Sequence, residues 1–95
     1  MIWITAVQFD NSGHDNHENI RAVRWRDAES RQQGQYAVAE LVDLIRKQTL
    51  VYVSDEAFER TAIVRVVDAK PPYVRSWAQG KWGNDLLALP RVEDY

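Results

Sequence analysis

The sequence predicts an α+β fold: a small antiparallel sheet of four to five strands with one α-helix packed on a face, in the order β-β-α-β-β-β. Three observations predict it. Runs of period-2 apolar residues occupy both ends of the chain. A single stripe of period 3.6 interrupts them near the middle. Clusters of Gly, Asn, Asp and Pro punctuate the joins.

Ile2 to Phe9 reads as the first strand, with Ile2, Ile4 and Ala6 alternating against Trp3, Thr5, Val7 and Phe9. Both sets are largely apolar, so cover is expected on both sides. Asp10 to Asn19 follows with turn chemistry almost throughout. Ile20 to Trp25 gives a second strand, in which Val23 and Trp25 alternate with Ala22 and Arg24, and Arg26 to Gln35 reads as a polar connection. The period then changes. Val38, Leu41, Val42, Leu44 and Ile45 form the stripe of an amphipathic helix over Tyr36 to Gln48, built with the good helix formers Ala37, Ala39, Glu40 and Lys47. Leu50 to Val53 and Thr61 to Asp68 read as two further strands around a polar turn at Ser54, Asp55 and Glu56. Pro71 and Pro72 break the ladder because neither donates a backbone hydrogen bond. Tyr73 to Trp77 resumes an extended run, and Gly80 marks a tight reversal. Asn84 to Leu89 reads as a short helical turn whose three leucines plug one end of the core.

The 95 residues are expected to form a single domain, 1–95. Twelve Lys and Arg against 14 Asp and Glu give a net charge of −2, which excludes a uniformly basic nucleic-acid coat and an acidic disordered tail. The absence of cysteine excludes a disulfide scaffold, a thiolate metal site and a Cys nucleophile. The N-terminal residues carry no signal-peptide pattern and no apolar run reaches the length of a membrane span, so the expected location is the cytoplasm.

The segment Tyr73 to Pro90, YVRSWAQGKWGNDLLALP, carries a Tyr-aliphatic-Arg-Ser strand, a Gly turn, an amide residue, two leucines and a Leu-Pro. In this it resembles the closing block of the domain of unknown function 3892 family, found in bacteria, archaea and phages. The features fall on Tyr73, Arg75, Ser76, Gly80, Asn84, Leu86, Leu87, Leu89 and Pro90. Upstream, the first strand, the His17-to-Ile20 entry to the second, Trp25 and the helix stand in similar order. The family's acidic residue before the Gly is Gln79 here, and its amide pair is Asn84-Asp85. The resemblance implies a small domain and carries no assigned activity.

His14 and His17, spaced i,i+3, are the one pairing of metal-ligand type, but a turn-rich loop gives that spacing no fixed geometry and no third ligand follows; no metal and no cofactor are expected. The carboxylates Asp43, Asp55, Glu56 and Glu59 fall on polar faces or turns, and no nucleophile elbow or phosphate loop is present. Catalysis is therefore not expected, and a metal-dependent enzyme is the weakest reading. The aromatic content is more informative: four Trp and four Tyr, several flanked by cations, as in Arg24-Trp25-Arg26, Arg75-Ser76-Trp77 and Lys81-Trp82. Rings with adjacent cations suit protein interfaces or stacked bases. Alternation predicts Trp25 and Trp77 packed inside with their basic neighbours outward, and Trp82, beside Gly80 and Gly83, exposed. Arg75 is expected to clamp Trp77 or Asp85. The reading that follows is a small non-catalytic module, of a size that suits a phage or mobile-element regulator, that binds a protein partner through Tyr73, Arg75, Trp77, Lys81, Trp82 and Asn84. Nucleic-acid binding by the same cation–aromatic strip is the alternative, and it requires the basic residues to gather on one side.

Overall fold

The fold is seen in a computed structural model that describes residues 1–10, 13–14, 16–27, 29–55 and 60–92. Its strands are β1 (Ile2–Phe9), β2 (Ile20–Asp27), β3 (Gln33–Ala37), β4 (Val51–Asp55), β5 (Arg60–Val67), β6 (Tyr73–Ala78) and β7 (Lys81–Gly83). One helix, α1 (Val38–Arg46), and two 3-10 turns, His17–Asn19 and Asp85–Ala88, complete the described elements. The strands form one seven-stranded sheet in the order β3-β2-β1-β4-β5-β6-β7.

The α+β class stands, but the sheet is larger than four to five strands, and it is mixed. β1 and β4 run parallel, with Ile2, Trp3 and Ile4 beside Val51, Tyr52 and Val53; every other neighbouring pair is antiparallel. A hairpin cannot join parallel neighbours, so the chain passes through β2, β3 and α1 before returning to the sheet centre. Two strands escape the period-2 reading. β3 lies in the segment read as a polar connection and in the predicted first turn of the helix. It is an edge strand held by β2, with Gly34 directly opposite Trp25 and Tyr36 opposite Val23. The Trp25 and Tyr36 rings stack at 5.0 Å and 11°, so tertiary packing draws Tyr36 and Ala37 into the sheet. β7 is only three residues long and exists because Gln79 and Gly80, at φ 53° and 77°, close a two-residue hairpin with Ala78 opposite Lys81. Position 79 thus serves the turn's backbone, where an acidic side chain is not required.

The helix begins where Glu40 reaches back to accept a hydrogen bond from the Ala37 N–H at 3.2 Å. It ends in a Schellman arrangement: Thr49 N–H donates to the Leu44 carbonyl and Gln48 N–H to that of Ile45, with Gln48 at φ 69°. Leu41 and Val42 are fully covered and join Ile4, Val23, Val53, Val64 and Val74 in one core cluster. Leu86, on the C-terminal 3-10 turn, joins the same cluster. Beyond it the chain lies along the far half of β1: Val7 N–H donates to Pro90, and Val92 N–H to Val7, at 3.0 and 2.8 Å. No described helix is long and apolar enough to cross a membrane.

Candidate recognition face

Cross-strand register divides the sheet into two unlike faces. Paired residues share a face and alternate residues change it. One face carries Ile2, Ile4, Val23, Val51, Val53, Val64 and Val74, and both α1 and the C-terminal turn pack there. The other lies outside that cluster, although at its β1–β2 end Ala6, Gln8 and Ala22 are buried too. On it, Gln33, Arg26, Trp3, Tyr52, Ile63, Trp77 and Trp82 are successive cross-strand partners, one from each strand of the sheet. The line is aromatic at five strands' width save for Ile63, and at ~4.8 Å per strand it extends roughly 19 Å from Trp3 to Trp82. Trp3 and Tyr52 lie 5.6 Å apart and tilted, while Trp77 and Trp82 meet edge to face at 4.8 Å. Trp82 is 41% exposed and the other rings of the line are half-buried.

Charge divides the same way. Arg24 and Arg26 of β2 and Arg65 and Arg75 of β5 and β6 stand on the open face, and among the described strand side chains no Asp or Glu does. Asp27 pairs with Ile2 and so belongs to the covered face; two backbone N–H groups, from Glu29 and Ser30, hold its carboxyl below the usual range. Asp68 lies 3.9 Å from Arg46 of the helix. Arg65 and Arg75 are direct cross-strand partners, an arrangement that costs energy between like charges. They diverge: Arg65 lies over the Trp77 ring at 5.3 Å, while Arg75 donates to the Gly83 carbonyl and to Asn84 Oδ1 at 3.3 and 3.1 Å.

Of the six residues singled out in the sequence, Tyr73, Arg75, Trp77 and Trp82 share this face. Lys81 does not, because it pairs with Ala78, one step out of phase with Trp82. Asn84 is a tether for Arg75. The expected clamp is thus built from other partners: Arg65 takes the indole, and Asp85 accepts from Ser76. Trp25 packs against the core with its basic neighbours opposite, as alternation requires, whereas Trp77 is on the open face and not inside. The expectation that the first strand is covered on both sides holds for its second half, where Ala6, Val7 and Gln8 are all buried, and is corrected for its first half, where Trp3 is half-buried and Thr5 exposed on the open face. Trp3, Tyr52 and Arg65 were missed as site residues because their strands read as core; only the register puts them in line with Trp77 and Trp82.

His17 is buried at 8% exposure with no partner at Nε2, and its pKa falls to about 4, through desolvation first and the charge of Arg75 second. His14 is exposed. Among the described residues no group of three His, Asp or Glu gathers to hold a metal ion; Asp15, Glu56 and Glu59 lie outside the described residues.

The sequence profile of the family described as "Protein of unknown function (DUF3892)" matches residues 3–90. The chain belongs to this family. The matched region runs from Trp3 to Pro90 and so contains the whole aromatic line of this DUF3892 domain. No curated protein and no solved structure gives a significant match.

Proposed function

We propose that this DUF3892 domain is a non-catalytic recognition module that holds an anionic partner on its open sheet face. The observation that carries the reading is the coincidence on one face of a five-strand line headed by Trp3 and Trp82 with arginines as the only charged described strand residues. A sheet whose second face only had to be wetted would carry mixed charges and few large rings. Here the rings supply contact area at low entropic cost, and the arginines select the sign of the partner. Neither histidine is presented as a general base: His17 is enclosed and held neutral, and His14 stands on a loop.

The test is whether retention depends on the face. Immobilised wild-type protein is incubated with cell extract beside a Trp82→Ala/Arg65→Ala variant and a Lys81→Ala variant altered on the other face. Material retained by wild type and by Lys81→Ala, but lost from the double variant, supports the reading. Equal retention by all three, or retention by none, overturns it.

A further inference from the structure

Resting on that reading of the open face, we infer that the anionic partner is a single-stranded nucleic acid whose bases stack on Trp3, Tyr52 and Trp82 while its phosphates meet the flanking arginines.

The chemistry on the face matches an alternation of flat rings and negative charges. Rings sit in two pairs, Trp3 with Tyr52 and Trp77 with Trp82, separated by the Ile63 strand. Arginines border both: Arg26 is the next cross-strand partner of Trp3, and Arg65 lies over Trp77. An open sheet with such rings takes about two or three unstacked bases, each with a π-face regardless of its identity. A duplex keeps its bases stacked inside and offers the rings no surface. The opposition of Arg65 and Arg75 adds a second argument. With nothing bound it is an unfavourable pair, relieved in part by the turn of Arg75 to Gly83 and Asn84. A phosphate between the two guanidiniums converts the repulsion into two charge-assisted contacts. Three carboxylates are engaged away from the ring line: Asp27 pairs with Ile2 on the covered face, Asp68 lies beside Arg46 of α1, and Asp85 is bonded to Ser76. Exposed Met1 and Leu50, two residues before Trp3 and Tyr52, extend the apolar margin of the same strands.

The experiment is fluorescence anisotropy of a labelled mixed-sequence single strand, as RNA and as DNA, and of the corresponding duplex, titrated with the full chain at several salt concentrations. Single strands are expected to bind and to quench tryptophan fluorescence, with the duplex at least about tenfold weaker. If all four arginines meet phosphates, affinity falls about fifty-fold between roughly 50 and 200 mM salt, and about twenty-fold in Arg65→Ala. Trp82→Ala is expected to weaken binding about five-fold or more at every salt concentration while leaving the salt slope unchanged. Thermal melts of both variants establish that each is folded, and Arg26→Ala provides an independent arginine should one fail. Absence of single-strand binding at low salt overturns the inference, as does binding indifferent to both Trp82→Ala and Arg65→Ala, or a duplex bound as tightly as the single strand. If the extract experiment is face-dependent while the oligonucleotides fail, the partner is an acidic protein segment: this inference falls and the recognition face stands.

Discussion

Ser76 and Asp85 are joined by both atoms of one hydroxyl: Ser76 Oγ donates to Asp85 Oδ2 at 2.7 Å and accepts from the Asp85 N–H at 3.3 Å. Ser76 is wholly buried, and the pair fastens β6 to the 3-10 turn that carries Leu86 into the core. Gly83, opposite Ser76 on β7, leaves the space the carboxylate needs, since a Cβ there would stand 2.7 Å from Asp85 Oδ2. Gly83→Ala must therefore displace the carboxylate from its donor and is expected to cost about 1–2 kcal/mol. Chemical denaturation checks this in a double-mutant cycle. The same substitution should cost clearly less in an Asp85→Ala background, and strict additivity would refute the coupling.

His17 makes stability depend on pH. Its folded pKa of about 4 lies below the ordinary 6.5, so the unfolded chain binds the proton more readily between those values. The stabilisation from keeping it neutral is complete above about pH 6.5 and is lost as pH falls toward 4. Melting temperatures from pH 7 to pH 4.5 should fall in wild type and fall less in His17→Gln. Parallel curves for the two proteins would show that His17 titrates normally.

Gly34 is covered by the indole directly across the ladder, with a hypothetical Cβ only 3.0 Å from Trp25 Cζ2. Gly34→Ala is expected to push Trp25 off the stack with Tyr36 and to destabilise by about 1–2 kcal/mol, overpacking outweighing any gain in strand propensity. The near-ultraviolet circular dichroism of the stacked rings reports the change. An unaltered spectrum with raised stability would count against this packing.

Leu86 has no exposed surface and is the apolar anchor of the C-terminal block. Leu86→Ala should lower stability by about 2–5 kcal/mol, and Leu89→Ala, only half-buried, by less. Equal effects on the denaturation midpoint would contradict the plug.

The strongly periodic segments were legible. Ile2–Phe9 has the predicted bounds, the helix lies inside its predicted span, and the Asn84-to-Leu89 segment holds the expected turn with a buried leucine. The failures have a common cause. Gln33–Ala37 and Lys81–Gly83 are edge strands with few apolar residues, so their conformation comes from a neighbour's hydrogen bonds and not from their own pattern. The site was half legible: Tyr73, Arg75, Trp77 and Trp82 share the closing block, while Trp3, Tyr52 and Arg65 come from elsewhere in the chain and meet them only through strand order.

By itself, then, the sequence determined that this is a small α+β domain of the DUF3892 type, because periodicity, turn residues and the closing block are local properties of the chain. Only the tertiary structure decided that Trp3, Tyr52, Trp77 and Trp82 form one line and that Arg24, Arg26, Arg65 and Arg75 share its face. Period-2 alternation states which residues of a strand go together, but which strands are neighbours, and in what register, is settled by long-range packing against α1 and Leu86.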